Sequence, residues 1–323
     1  MLTNDIKGNM KMVIEPIFEA DFKKCSYGFR PKRSASMAVT KIKENLKEGR
    51  MTILDADLSA YFDTIAHDKL MILVEQRISD KNILKLIRMW LKAPVSENNR
   101  ISGGKKNKYG TPQGGVISPL LANIYLHLLD KIINKGGSIF NKCGISIVRY
   151  ADDFVLMGED ISMECLQELL YILKRMELQL NKEKSKLIIA KKQPFDFLGF
   201  TFRYDNDLFI PGNKYWNVSP SKKSMKKIKE KLNDCLKSRH HYPIEHLVKD
   251  INAIERGWLN YFSIPKISYT KRARREIRYY LFERLRRYFK RKSQRRCKLY
   301  NRGNIEWLVS NYGLIDPTKY KLV

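Results

Sequence analysis

Between residues 52 and 58 apolar and polar positions alternate. Ile53, Leu54, Ala56 and Leu58 flank Asp55 and Asp57, a period-2 pattern that predicts a strand with both carboxylates on one face. Over 118–133, SPLLANIYLHLLDKII, the period changes: Leu121, Ile124, Leu128 and Ile132 recur at helical spacing, Ser118 can cap the helix and Pro119 suits its first position. A helix of the same character is predicted over 162–180. Between the two, SIVRYADDFVLM (146–157) is an apolar run broken by adjacent Asp152 and Asp153, which predicts two short buried strands joined at a tip bearing paired carboxylates. Further strands are predicted around KSKLIIA (184–190) and FDFLGFTFRY (195–204), with KKQP as the turn between them.

From about residue 219 the pattern is helical and basic. Met225, Ile228, Leu232 and Cys235 form an apolar stripe ringed by lysines. Leu247, Val248, Ile251, Ile254, Trp258 and Leu259 share one face of a second helix. Residues 1 to about 205, mixing strand and helix periods, predict an α+β domain.

Charge sharpens this picture. The 323-residue chain has 62 Lys and Arg against 34 Asp and Glu, a net charge of +28, and a polyanion is the natural partner of such a surface. Lys271 to Lys298 alone holds fourteen Lys and Arg against Glu276 and Glu283, with Tyr279, Tyr280, Phe282, Tyr288 and Phe289 interleaved. Basic side chains there suit phosphates, while each aromatic suits either the core or a base stack. The five cysteines are scattered with no C-x-x-C spacing, as in a reducing compartment. No apolar run reaches membrane-spanning length and no signal-peptide block opens the chain, so a cytoplasmic protein without a membrane partner is expected.

Adjacent carboxylates repel, and one pKa rises unless a cation or basic neighbour holds both ionised. A lone Asp-Asp pair is most often a solvated turn. Here the flanking strands and the second acidic strand favour a metal site: three carboxylates around two divalent ions ~4 Å apart can activate an attacking hydroxyl and stabilise a leaving pyrophosphate.

YADD in an apolar hairpin, preceded by YGTPQGGVISPLLANIYL and DADLSAYFDTIAHDKLM, resembles the reverse transcriptases encoded by bacterial group II introns, the maturase family. CSYGFRPKRSA (25–35), LNKEKSKLI (180–188) and FDFLGFTF (195–202) match in the same order, and AIERGWLNYF (253–262) resembles the maturase-specific thumb, or X domain. The resemblance implies an α+β right-hand palm with a ferredoxin-like antiparallel sheet over 51–215, residual fingers over 1–50, a basic all-α thumb over 216–298 and a tail over 299–323. The usual first finger blocks and an H-N-H endonuclease module are expected to be missing.

The same resemblance implies roles. Asp57, Asp152 and Asp153 would carry two Mg2+ ions, and Lys184 would be a general acid for pyrophosphate, though a solvated loop lysine fits it almost as well. Phe62 would stand under the sugar as a steric gate, with core packing as the alternative. Gln113 and Gly114 would contact the incoming dNTP, and Gly199 and Phe200 would belong to a primer grip. Arg30 would belong to the fingers. On the charge distribution rather than the resemblance, Arg274, Arg275, Arg278 and Arg287 stand for the RNA-binding surface. Partners would be group II intron RNA or another RNA template, a DNA primer or target, and dNTPs. Three functions remain open: an RNA-directed DNA polymerase, an RNA-binding splicing maturase without catalysis, and a non-functional truncated copy.

Overall fold

In the computed structural model, residues 2–97, 100–102, 104, 107–111, 115–207, 210–239, 242–292 and 305–322 are described. They fall into two compact units, Met1–Ala190 and Lys191–Val323. The first unit runs through α1 (Leu2–Glu19), α2 (Ala35–Lys47), β1 (Thr52–Ala56), α3 (Tyr61–Thr64), α4 (His67–Glu75), α5 (Lys81–Leu91), β2 (Val95–Glu97) and β3 (Arg100–Ser102). It continues through α6 (Ser118–Ile133), α7 (Ile139–Lys142), β4 (Ser146–Tyr150), β5 (Asp153–Gly158), α8 (Met163–Arg175) and β6 (Lys186–Ile189).

Four of these strands form an antiparallel sheet in the order β4-β5-β1-β6. Helix α8 carries the chain from β5 to β6 across β1, so β1 lies between two parallel neighbours, the split βαβ arrangement of ferredoxin-like sheets. Phe154, Val155, Leu156 and Met157 of β5 are all buried, which is why that strand reads as an unbroken apolar run. Helix α6 is apolar nearly all round and buries Leu120, Leu121, Ile124, Tyr125, Leu126, Leu129 and Ile133. Its N-cap is Ile117, not the expected Ser118, which is buried in the first turn. Helix α8 is capped by Ser162, whose hydroxyl accepts from Cys165 N, but it stops at Arg175 short of the expected Leu180. Glu177 turns left-handed (φ 55°) and Leu178 N bonds back to Leu173 O, which releases Leu180 to bridge Leu58.

The second unit contains β7 (Phe195–Phe197), β8 (Phe200–Asn206), β9 (Lys214–Pro220), α9 (Lys222–Ser238), α10 (Ile244–Phe262), α11 (Lys271–Lys292) and α12 (Ile305–Tyr312). The stretch 195–204, expected as one strand, is a hairpin: Leu198 and Gly199, both at positive φ, form a two-residue turn between paired Phe197 and Phe200. This hairpin packs with the helices, since Gly199 O accepts from Ser221 N and Ser224 Oγ, and Tyr261 Oη donates to Leu198 O. The division between the two compact units falls at Ala190 and Lys191, so this hairpin belongs to the second unit. The buried stripe of α9 is Met225, Ile228, Leu232 and Leu236, with Cys235 only half-buried, and on α10 Ile254 is half-buried while Glu255 is buried among the apolar residues. Among the described residues no helix is long and apolar enough to cross a membrane.

Candidate active site

Strand register alone brings the sequence-distant acidic residues together. Ala56 pairs with Phe154, so one residue further on Asp57 faces Asp153; Asp55 pairs with Lys186, so two residues further on Asp57 faces Lys184. One end of β1 thus meets the starts of both β5 and β6. The meeting is observed: Lys184 Nζ stands 3.2 Å from Asp57 Oδ2. Lys184 is largely exposed, and such a pair contributes only about 0–1 kcal/mol, so the ammonium is free to exchange partners.

The loop bearing Lys184 is stapled to Asp57. Asp57 O accepts from Asn181 N at 2.8 Å, Asp57 N donates to Ser185 Oγ at 3.2 Å, and Asn181 Oδ1 accepts from the amides of Glu183 and Lys184. Asn181 and Ser185 are site residues that sequence reasoning missed; their polar side chains inside LNKEKS were the available signal. The tip of the β4–β5 hairpin is a two-residue turn, Ala151 and Asp152, between paired Tyr150 and Asp153, with Ala151 in the left-handed region (φ 58°).

Charge accumulates at this tip as the sequence implied. Desolvation, then the Asp152 and Asp57 charges, push the Asp153 carboxyl up to about 6, while Lys184 pulls it back. Among the described residues no three His, Cys, Asp or Glu side chains are gathered closely enough to hold a metal ion as they stand. The donor set nevertheless fits a hard divalent cation chemically: it is all carboxylate oxygen, and its mutual repulsion is what such an ion offsets.

The other expected site residues lie as follows. Phe62 is half-buried in α3, edge-on to Tyr61 with ring centroids 5.4 Å apart. Its carbonyl accepts from Thr111 N at 2.7 Å, and His67 Nε2 lies 2.6 Å from Gly110 O, so the segment leading to residue 112 is docked beside it. Gln113 and Gly114 lie outside the described residues. Gly199 is at φ 78°, and a Cβ there would come within 2.7 Å of Ser224 Oγ. The glycine thus meets the needs of its turn and of the close approach to the start of α9. Phe200 is fully buried against Phe262. Arg30 is a structural clamp, buried and bonded to Glu19, Lys23 O and Ser26 O.

On α11 the four arginines separate. Arg275 and Arg287 are exposed. Arg274 donates to Ser263 Oγ and Tyr320 O, and Arg278 pairs with Asp316 and Glu306, so these two hold the C-terminal segment.

A carboxylate one residue past β1, facing a two-carboxylate hairpin on a split βαβ sheet, fits the palm that the sequence resemblance implies, and comparison with known proteins gives the family. The chain belongs to the reverse transcriptase (RNA-dependent DNA polymerase) family, whose profile matches residues 1–202. The group II intron, maturase-specific domain matches residues 225–305, which gives the group II intron reverse transcriptase/maturase kind. Protein YkfC of Escherichia coli is 35% identical over 59% of this chain and 58% of its own length. Group II intron-encoded protein LtrA of Lactococcus lactis subsp. cremoris is 30% identical over 61% of this chain and 42% of its own. The matched regions span 16 to 58% of the first curated relatives' lengths. A solved telomerase from Candida albicans, in complex with a TWJ fragment of telomeric RNA, is 13% identical over 99% of this chain and 57% of that one, with a TM-score of 0.47, too loose a match to argue from.

Proposed function

We propose that the chain is an RNA-directed DNA polymerase of the group II intron type, coupled to binding and splicing of intron RNA. The observation that carries this reading is the convergence of Asp57, Asp153 and Lys184 by strand register beside Asp152. Asp57, Asp152 and Asp153 would hold two Mg2+ ions, which supply Lewis-acid stabilisation of attacking and leaving oxygens when bound. Lys184, on an exposed loop fixed by Asn181 and Ser185, would hold a proton where pyrophosphate departs. Phe62 would face the sugar of the incoming dNTP, Gln113 and Gly114 would contact that nucleotide, and the hairpin at Gly199 and Phe200 would track the DNA primer. The RNA template and intron RNA would lie on basic surface, with Arg275 and Arg287 as its exposed contacts on α11.

A second reading, an RNA-binding splicing maturase without catalysis, draws on the maturase-specific match over 225–305 and on the exposed cations of α11. The deciding experiment is Mg2+-dependent extension of a DNA primer on RNA. Asp57→Asn should lower the rate by more than the roughly 10–100-fold that outer partners of metal ligands cost. Equal extension by parent and variant at saturating Mg2+ removes Asp57 from the chemistry. RNA binding by a parent that never extends leaves the maturase reading alone.

A further inference from the structure

Behind the turn that carries Asp152 and Asp153 lies an ion pair that solvent does not reach. Arg149, next to last in β4, and Asp130, near the end of α6, are both fully buried. Arg149 Nε donates to the two Asp130 oxygens at 3.0 and 3.2 Å, and Nη2 donates to Oδ2 at 2.6 Å. Its remaining arm, Nη1, donates to Asn123 Oδ1 and to the Ala151 carbonyl, both at 2.9 Å. Asn123 passes the contact on, donating from Nδ2 to Gly28 O at 2.8 Å.

The main chain closes the same ring. Arg149 N donates to Cys25 O at 2.9 Å and Arg149 O accepts from Tyr27 N at 2.8 Å. At Gly28 a Cβ would stand 2.3 Å from Ala151 N and 2.9 Å from Tyr150 C, so only glycine lets this loop lie against the peptide before Ala151. The segment 25–28, helix α6 and strand β4 therefore converge on the two peptide units flanking Ala151.

Stability is a poor explanation for this arrangement. A buried ion pair is often replaceable by apolar residues at no loss, because desolvation cancels its attraction. Ala151 itself is held left-handed, which costs an L residue about 1–2 kcal/mol. What the guanidinium fork does provide is direction: one arm fixes the Ala151 carbonyl, hence the peptide plane from which Asp152 departs, while the others anchor that arm to α6.

We infer that Arg149, Asn123 and Gly28 are positioning residues that aim the Asp152–Asp153 turn at Asp57. Its consequence for rate rests on the polymerase reading; the hold on the turn does not. Two variants separate position from folding. Asn123→Ala leaves the Arg149–Asp130 pair intact but removes one of the two acceptors that orient Nη1 and the side-chain donor to the Gly28 carbonyl. Arg149→Met combined with Asp130→Leu removes both charges together and keeps the site filled with apolar volume.

Each is measured, in the full chain, for melting temperature, amide hydrogen exchange over 150–154, and primer extension against Mg2+, dNTP and primer–template. Both variants should melt near the parent and exchange the turn amides about 10-fold faster or more. They should lose about 10–100-fold in kcat with a raised Mg2+ requirement, while the KM for primer–template stays within about twofold. Parental turn exchange and parental kcat in two folded variants overturn the inference, as does a rate loss that merely follows a fall in melting temperature. If the turn loosens in the variants but the parent extends no primer, the network stands and the polymerase reading fails.

Discussion

Phe62 packs edge-on against Tyr61 and remains only half-buried, while its carbonyl accepts from Thr111 N. Phe62→Ala should admit ribonucleotides more readily with little change in dNTP turnover, read as the ratio of kcat/KM for the two nucleotide classes; an unchanged ratio returns the ring to the core. Glu255 poses the opposite case, a carboxyl that is buried and whose two oxygens have no hydrogen-bond partner among the described residues. Burial, and then the Asp316 charge, hold its pKa well above the usual 4.5. The folded chain therefore keeps a proton that the unfolded chain releases near 4.5, and stability falls as pH rises above that value until the folded group itself ionises. Glu255→Gln removes this penalty. It should raise the melting temperature at about pH 7, with the gain fading as pH is lowered to about 4. A gain that does not depend on pH would contradict the assignment.

Helix α11 shows how far a charge pattern can be read. Its apolar residues Ile277, Leu281, Leu285, Tyr288 and Phe289 are buried at helical spacing, as periodicity requires, but its cations are not equivalent. Arg275→Gln with Arg287→Gln should weaken RNA binding and lower the slope of log affinity against log salt by roughly one unit for each phosphate no longer neutralised, at unchanged melting temperature. Arg278→Gln should instead lower the melting temperature, because it strips the buried Asp316 of its ion partner. An undiminished salt slope in the first variant makes the exposed face a merely solvated one. Nothing local distinguishes these arginines, since the partners of Arg274 and Arg278 are Ser263 and residues from 306–320. The β4–β5 hairpin, by contrast, was legible because two apolar runs bracket two aspartates, and α6 because its period persists over its whole length. The end of α8 was not legible, for a left-handed Glu177 is set by where Leu178 must pack. Arg149 and Asp130 were visible only as polar residues inside apolar elements; their pairing is a tertiary fact.

Taken whole, the molecule keeps its acidic cluster in the first unit and a strongly basic helix in the second, within a chain of net charge +28. Catalysis and RNA binding should therefore be separable by substitution. We assign nucleotidyl transfer to the carboxylates at the sheet end. The measurement that bears on it most directly compares the parent with Asp152→Asn for RNA-templated primer extension at saturating Mg2+, alongside RNA affinity across a salt series. Asp152→Asn is expected to lose extension by orders of magnitude while binding RNA with the parent's affinity and salt slope. Extension by Asp152→Asn at the parent's rate would contradict the claim.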